Sequence, residues 1–251
     1  MASTIETLYP ERIIPKETEA GILAMHLKRY NFAYPHCAGK RVLDVACGVG
    51  YGSHYLAKTA SEVTGVEIDP ESVAYAKKHY ALSNVKFFEM DATKLAFKDA
   101  SFDVVCSFET IEHIPNIDGY LAEIVRVMTP EGLYIVSTPQ VKTTTYKPAN
   151  PFHVVEFSKA DFQALLGKYF NLLDFYGQRR IQSPLHAILQ KLDFLNLRTK
   201  LVPKAIVKQA AKALGTTPID EMSFDDLIVS KEKLEKAAEF IVICQAPKKK
   251  H

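Results

Sequence analysis

The chain has 251 residues, of which 47% are apolar and 24% are charged, and its formal net charge is +2. This composition is that of an ordinary globular protein with a sizeable core, so it excludes disordered and fibrous chains. The nearly neutral charge argues against a dominant surface for nucleic acid or membranes. A nucleic-acid partner is therefore not favoured.

The cysteines predict a reducing, cytoplasmic setting. Cys37, Cys47, Cys106 and Cys244 lie far apart and form no C-x-x-C pattern, and the last three lie in apolar runs. We therefore expect buried free thiols, with neither a disulfide framework nor a structural zinc. The N-terminal stretch lacks the apolar core of a signal peptide, and no window approaches the roughly 18 apolar residues of a membrane span.

The predicted elements alternate between strands and helices after a first helix at 17–34, which lies in an N-terminal helical lead over 1–40. Five apolar runs predict strands, at 41–46, 62–68, 85–90, 102–108 and 133–139. Three stretches between them predict helices, at 51–60, 69–82 and 117–128. Asp69 is expected to cap the second of these helices, with Pro70 at its first position. Such alternation predicts an α/β fold with helices on both faces of a parallel sheet.

Two further strands are predicted near the end of the chain, in LLDFYGQ at 172–178 and in EFIVICQAP at 239–247. The segment 181–236 between them is mostly helical in pattern and too long for a loop, so we expect a small helical cap. Residues 41–180 and 237–247 then form the main domain.

The stretch RVLDVACGVGYGS, residues 41–53, predicts a ligand-binding loop between a strand and a helix. This layout brings a ligand to backbone N–H groups at the carboxyl edge of a parallel sheet. A dinucleotide site favours G-x-G-x-x-G, but Ser53 occupies the third glycine position after Gly48 and Gly50. Asp44 before the loop would repel a pyrophosphate and would suit a cationic amino group. The pattern therefore favours S-adenosylmethionine over NAD.

Three further positions are compatible with the same ligand. Glu67 ends the second strand, where a carboxylate accepts hydrogen bonds from ribose hydroxyls. Asp91 follows the third strand and would accept a bond from the adenine amino group, with the Ala92 N–H donating to the ring. Phe108 closes the fourth strand. Singly, the glycines and Asp91 are equally compatible with plain turns, and Asp44 with a helix cap.

The sequence resembles the class I S-adenosylmethionine-dependent methyltransferases from about Arg41 to Gln178. The resemblance is carried by VLDVACGVGYGS, VTGVEIDPESV, MDATKLAFKDASFDVV, ETIEHI and RVMTPEGLYIVSTPQ. One departure is Ala46, where the family often has glycine. The resemblance implies a Rossmann-like three-layer sandwich with a seven-stranded, mostly parallel sheet in the order 3-2-1-4-5-7-6, the last strand antiparallel. It implies cofactor contacts at Asp44, Ala46, Gly48, Gly50, Glu67, Ile68, Asp91, Ala92 and Phe108.

The stretch SFETIEHIPN after the fourth strand brings Glu109, Glu112 and His113 close together, and NPFHVVEFS brings His153 after the fifth strand. Two carboxylates and two imidazoles at neighbouring strand ends are a candidate site for a divalent metal. The pattern resembles small-RNA 2′-O-methyltransferases and the O-methyltransferases of ubiquinone synthesis. That resemblance implies that the four residues hold Mg²⁺ or a similar ion, which lowers the pKa of a substrate hydroxyl.

The same stretch also resembles bacterial methyltransferases of sugars and natural products, which need no metal. His113 or His153 would then act as general base, oriented by a carboxylate such as Glu109. A third interpretation is structural, with Glu112 and His113 capping a helix and His153 satisfied in a loop.

We therefore predict a methyltransferase that acts on a hydroxyl of a small molecule or glycan, with or without a metal. The alternatives are an N-methyltransferase of a small molecule, an RNA 2′-O-methyltransferase, a non-enzymatic cofactor-binding protein and an NAD-dependent oxidoreductase. The cap is expected to set substrate choice. The lead helix is expected to pack through Ile22, Leu23, Met25 and Leu27, while Tyr9, Arg12 and Arg29 are candidates to line the cofactor site.

Overall fold

The computed structural model describes residues 13–181, 209, 212–213 and 216–247. Its helices are α1 (Ala20–Ala33), α2 (Tyr51–Leu56), α3 (Pro70–Tyr80), α4 (Ile117–Val127) and α5 (Lys159–Gly167). Its strands are β1 (Arg41–Val45), β2 (Glu62–Glu67), β3 (Val85–Glu89), β4 (Phe102–Phe108), β5 (Met128–Pro139), β6 (Asn171–Arg180), β7 (Leu227–Ser230) and β8 (Glu239–Gln245). As predicted, Asp69 caps α3, because its carboxylate accepts a hydrogen bond from the Ser72 N–H at 2.7 Å.

The strands form one eight-stranded sheet in the order β3-β2-β1-β4-β5-β8-β6-β7. The pairs from β3 to β5 are parallel, whereas β8 runs antiparallel to both β5 and β6. Since β8 is the predicted seventh strand, the predicted order is confirmed across these seven strands. The carboxyl ends of β1, β2, β4 and β5 meet at one edge of the sheet, where ligands bind in folds of this kind.

The sheet has one strand more than predicted, because Leu227–Ser230 forms β7 and pairs antiparallel with β6. These residues lie in the segment 181–236 that we expected to be a helical cap, so the expectation is wrong for this part. A short apolar run becomes a strand here because β6 offers it an edge with which to pair. The remainder of the predicted cap before Thr216 lies almost entirely outside the described residues, as do Tyr9 and Arg12.

Helices cover both faces of the sheet, which gives the predicted three-layer arrangement. One apolar core lies against α4 and α5 and includes Ile124 and Phe162. The other lies beneath α1, α2 and α3 on the opposite face and includes Leu56 and Val73. Within the described part of the chain, every helix is too short or too polar to cross a bilayer.

Helix α1 buries a face that the apolar pattern does not indicate. Ile22, Leu23, Met25 and Leu27 are all only half-buried. The buried residues of the helix are instead Gly21, Ala24, Arg29, Tyr30 and Ala33. Small residues allow close packing at one end, where Ala24 joins a small core with Met222 and Leu227 of the C-terminal segment. The other end carries Arg29 and Tyr30 to the carboxyl edge of the sheet.

Candidate active site

The loop between β1 and α2 has three residues in the left-handed region, with φ of 56° at Ala46, 55° at Gly48 and 89° at Gly50. An alanine in this region costs roughly 1–3 kcal/mol, so glycine would be less strained than alanine at position 46. A Cβ on Gly50 would lie 2.7 Å from the Phe87 ring, so this position also needs glycine for space. Gly48, in contrast, has no atom within 4 Å of the place of its Cβ. The loop therefore leaves room for a ligand at Gly48.

Asp44 lies beneath this loop and is fully buried. Its carboxylate accepts a hydrogen bond from the Ser53 hydroxyl at 2.6 Å and bonds from the Tyr30 hydroxyl at 3.3 Å to both oxygens. Burial raises the pKa of Asp44 to about 7, although both hydroxyls lower it. Asp44 thus joins α1 to α2 through these bonds and is not among the residues that line the cavity described below.

Glu67, at the end of β2, supports the loop. Its carboxylate accepts hydrogen bonds from the N–H groups of Gly48 at 3.0 Å and Ile68 at 2.8 Å. The Ile68 side chain is 57% exposed. After β3, Asp91 accepts bonds from the N–H and hydroxyl of Thr93 at 2.8 Å, in the turn that also contains Ala92. Glu67 is the last residue of β2, and Ile68, Asp91 and Ala92 lie just after the strand ends at which the sequence places them.

A cavity of about 350 Å³ opens at the carboxyl edge of the sheet. Its wall includes Ala46 and Gly48 from the glycine loop and Phe108 from the end of β4. The same cavity is lined by all four residues of the predicted acidic and histidine cluster, namely Glu109, Glu112, His113 and His153. Part of the glycine loop and the acidic and histidine cluster therefore share one space. The other predicted cofactor contacts are not among the lining residues, namely Asp44, Gly50, Glu67, Ile68, Asp91 and Ala92.

Glu109 directly follows β4 and has a φ of 50°, in the left-handed region. Its carboxylate accepts a hydrogen bond from the Ser137 hydroxyl of β5 at 2.6 Å. Nε of the buried Arg29 lies 4.0 Å from Glu109, and Nη1 lies 4.0 Å from Glu239. Burial lowers the pKa of Arg29, but the two carboxylates more than compensate and raise it. One cation on α1 therefore joins the ends of β4 and β8.

Glu112 is fully buried in the short 3₁₀ turn after β4. One carboxylate oxygen accepts a hydrogen bond from the Thr138 hydroxyl at 3.0 Å, and the other, Oε1, has no hydrogen-bond partner among the described residues. Burial, assisted by the charge of Glu109, raises the pKa of Glu112 well above its ordinary value. Its backbone carbonyl accepts the Val154 N–H at 2.8 Å, which ties the two site loops together.

His113 has a defined tautomer. Its Nδ1 lies 2.9 Å from the Phe152 carbonyl oxygen, which can only accept a hydrogen bond. Nδ1 must therefore carry the proton, so Nε2 of the neutral ring is the basic nitrogen.

His153 uses both of its nitrogens within its own loop. Nε2 lies 3.0 Å from Nδ2 of Asn150, and Nδ1 lies 2.9 Å from the Glu156 carboxylate. The amide of Asn150 is oriented by the Phe152 N–H, which donates to its oxygen at 3.0 Å. An amide nitrogen can only donate, so Nε2 of His153 accepts and Nδ1 donates.

The four predicted metal ligands do not form one cluster. Potential ligand atoms of Glu112, His113 and His153 lie within 4.8 Å of one another, but Glu109 is not part of this group. Moreover, both nitrogens of His153 bind neighbouring side chains. A divalent cation also prefers an ionised carboxylate, which the burial of Glu112 disfavours. The arrangement is therefore a poor fit for the four-ligand site that the resemblance implies.

Sequence reasoning missed several residues of the cavity wall, including His26 and Tyr30 of α1, Tyr51 of α2 and Asn150. Burial, and then the charge of Arg29, lowers the pKa of His26 well below its ordinary value. His26, Arg29 and Tyr30 stand at positions i, i+3 and i+4, which lie on one face of a helix. This spacing of polar side chains along one face of the helix was the available signal.

Residues 43–136 match the model of a methyltransferase domain family. A probable S-adenosylmethionine-dependent methyltransferase of Mycolicibacterium smegmatis is 34% identical over 160 residues, which cover 62% of each chain. A fatty-acid O-methyltransferase of the same species is 29% identical over 160 residues, which cover 58% of each chain. The chain thus matches less than two thirds of the length of either relative.

Solved methyltransferase structures share the fold. The 1,6-didemethyltoxoflavin-N1-methyltransferase of Burkholderia thailandensis, solved with S-adenosylhomocysteine, has a TM-score of 0.54 and 17% identity. The match covers 89% of this chain and 78% of that chain. Similarity at this level of identity establishes the architecture of the sheet and its helices.

Proposed function

We propose that this chain, whose residues 43–136 match a methyltransferase domain family, is a class I S-adenosylmethionine-dependent methyltransferase that transfers a methyl group to a hydroxyl of a small molecule or sugar. The observation that carries this proposal is the cavity that both the glycine loop and His113 line. A donor on the loop and an acceptor beside His113 would meet in one cavity, and such proximity is a major source of rate enhancement.

The residues around the loop fit the donor. The open space at Gly48 allows backbone to approach a ligand, and the cavity volume is that of a small-molecule site. Glu67 would bind the ribose hydroxyls, and Asp91 with the Ala92 N–H would bind the adenine. Phe108 would contact the donor from the end of β4, and Asp44 would favour its positively charged groups from behind the loop.

When bound, S-adenosylmethionine supplies a methyl group on a positively charged sulfur, which keeps the electron pair of the sulfur–methyl bond as the oxygen–methyl bond forms. His113 would take the proton of the acceptor hydroxyl at Nε2, because Nδ1 is already protonated toward the Phe152 carbonyl. Glu109, held by Ser137, would orient the acceptor. His153 would hold the loop that positions Phe152.

The lining of the cavity supports an uncharged acceptor. Among the described residues of its wall there is no lysine or arginine, whereas two are glutamates. A carboxylate or phosphate acceptor would therefore meet no fixed positive charge. A hydroxyl acceptor also explains the histidine, since an ionised carboxylate needs no base. The name of the fatty-acid O-methyltransferase relative supports transfer to oxygen and an apolar acceptor body, although the oxygen of a fatty acid belongs to a carboxylate and not to a hydroxyl.

A metal-assisted transfer is the second candidate, and the cluster of Glu112, His113 and His153 favours it. The same hydroxyl would be methylated in either case. The two candidates differ in their response to a chelator, which would abolish only the metal-assisted transfer.

Calorimetry with S-adenosylmethionine and S-adenosylhomocysteine tests the donor half. We expect both to bind, and the absence of binding would overturn the proposal. Transfer of radiolabelled methyl to a panel of sugars, long-chain alcohols, phenols and matched carboxylic acids and amines tests the acceptor half. We expect label in alcohols or phenols; label only in amines or acids would contradict transfer to a hydroxyl.

The variant His113→Gln tests the base. We expect its turnover to fall by about 10²–10⁴, the usual contribution of a general base, with donor binding unchanged. His79→Gln is the matched control, because His79 is an exposed histidine of α3 outside the cavity wall. Full activity of His113→Gln would show that His113 is not the base.

A further inference from the structure

The N-terminal helix α1 reaches the donor half of the site through Tyr30. Its hydroxyl donates to the Asp44 carboxylate, and its ring lines the cavity. The ring also packs edge to face against Phe108, with ring centroids 4.9 Å apart. Tyr30 is only 6% exposed. A residue that precedes the first strand thus lines the cavity and also contacts Asp44, which comes just before the glycine loop.

Gly52 shows how closely α1 and the loop helix α2 are fitted. A Cβ at Gly52 would lie 1.9 Å from Cζ of Tyr30 and 2.3 Å from two further ring atoms. No rotation of the ring about its own axis relieves a contact at Cζ, so position 52 must be glycine while Tyr30 occupies this place. The third glycine of GVGYG is therefore explained by Tyr30, and its role is not to approach a ligand.

The carboxylate of Asp44 depends on two hydroxyls. Tyr30 and Ser53 are the side chains that donate hydrogen bonds to it among the described residues. In a fully buried place, these bonds stabilise the ionised form against the cost of burial. If one bond is lost, the carboxylate carries less negative charge at neutral pH and is held less firmly. Either change weakens attraction for a cationic ligand on the loop above.

We propose that Tyr30 is a positioning residue for the donor: its hydroxyl holds the Asp44 carboxylate beneath the glycine loop and thereby makes α1 a part of the donor site. This inference rests on the proposed function, because the donor is S-adenosylmethionine. It adds that the N-terminal helix determines donor affinity, although the motif-bearing part of the chain begins only at residue 41.

The test measures the dissociation constant of S-adenosylmethionine by calorimetry for Tyr30→Phe, which keeps the ring and removes the hydroxyl. We expect affinity to fall about tenfold, since a hydrogen bond to a charged group is worth about one order of magnitude or more in an equilibrium constant. Tyr55→Phe is the control. Tyr55 also joins α2 to α1, through a bond of 2.8 Å to Asn31, but does not touch Asp44. We expect its affinity to stay within about twofold of wild type.

To distinguish the positioning role of Tyr30 from a purely structural one, the Tyr30→Phe substitution is repeated in the Asp44→Asn variant. A bond to a neutral amide is worth less, so Tyr30→Phe should there weaken binding less than about threefold. The inference would be overturned if Tyr30→Phe weakened donor binding by the same factor in wild type and in Asp44→Asn. It would also be overturned if Tyr30→Phe and Tyr55→Phe lost equal donor affinity. Should Tyr30→Phe not fold, Ser53→Ala removes the other hydroxyl, and unchanged affinity in that variant overturns it as well.

The wild-type protein separates this inference from the function on which it rests. If the wild type does not bind S-adenosylmethionine, the proposed function fails and the role of Tyr30 fails with it. If the wild type binds and Tyr30→Phe binds equally well, only the role of Tyr30 is wrong.

Discussion

The rings of His113 and His153 lie edge to face, with their centroids 4.8 Å apart and their planes at 84°. They come from different loops, after β4 and after β5, and their hydrogen bonds differ in kind. His113 donates to a backbone carbonyl, whereas His153 lies between the side chains of Asn150 and Glu156. The two histidines therefore lie side by side in the site but differ in their hydrogen-bond partners.

This difference in hydrogen bonding predicts that His153 matters less for turnover than His113. Since both nitrogens of His153 are already in hydrogen bonds, its replacement should loosen the loop without removing the base. We expect His153→Gln to lower kcat by about tenfold, against the 10²–10⁴ expected for His113→Gln. Steady-state kinetics of the two variants, measured side by side, check this. A larger loss in His153→Gln would assign the base to His153.

Removal of metal ions separates the two candidate mechanisms. Because Glu109 lies apart from the other three residues and His153 is engaged, we expect activity to survive dialysis against a chelator. The measurement is methyl transfer before and after dialysis, with Mg²⁺ or Mn²⁺ added back. Loss of activity that either ion restores would favour the metal-assisted transfer.

The buried Asp44 predicts a particular dependence of stability on pH. Its pKa is raised from 3.8 to about 7 in the folded protein, so between these values the folded state holds a proton that the unfolded state has lost. Its contribution to stability therefore falls as the pH rises from about 4 to about 7. Asp44→Asn removes this dependence and should gain up to about 4 kcal/mol relative to wild type over that range.

Denaturant unfolding of both proteins between pH 4 and pH 8 gives the difference directly. Asp103→Asn is the control of opposite sign, because hydrogen bonds from Arg41 lower the pKa of Asp103. Its stability difference from wild type should change only below about pH 4 and stay flat above. If the stability difference between Asp44→Asn and wild type is also constant between pH 4 and pH 7, Asp44 does not titrate in this range.

Arg29 is expected to matter for stability because it is the cation between two carboxylates. Arg29→Met would leave Glu109 and Glu239 close together without it, and breaking a buried ion pair in this way costs about 3–5 kcal/mol. Adding Glu239→Gln should restore part of the loss. Lys86→Met breaks an exposed pair with Glu62 and should cost less than about 1 kcal/mol. Equal losses in the two single variants would contradict this account of Arg29.

The sequence predicted the sheet well because the local signals agreed with the packing. Apolar runs at β1, β2 and β4 end in the residues that form the loops, and Asp69 with Pro70 marks the start of α3. Strand β7 could not be predicted, because four residues become a strand only when an edge such as that of β6 is available to them. The apolar run of β7 is also too short to show the two-residue periodicity of a strand.

For the candidate site, the sequence predicted where the residues lie relative to the strand ends, but it predicted their side-chain contacts less well. Spacing placed Asp44 at the end of a strand but could not show that Tyr30, fourteen residues earlier, donates to it. Spacing also placed Glu109 three residues before Glu112. The left-handed backbone at Glu109 and the 3₁₀ turn that follows send the two carboxylates to different partners. Side-chain direction depends on such dihedral angles, which the sequence pattern does not contain.

The fit between Gly52 and the Tyr30 ring limits how this protein can be recombined with its relatives. A chimera that takes its first 40 residues from a relative inherits a new side chain at the position of Tyr30, while Gly52, Ser53 and Asp44 remain from the parent. A smaller residue would leave a cavity and would deprive the Asp44 carboxylate of one of its two hydrogen-bond donors, and a larger one would meet α2. Functional crossovers should therefore either preserve this tyrosine or fall after Ser53, so that helix and loop are inherited together.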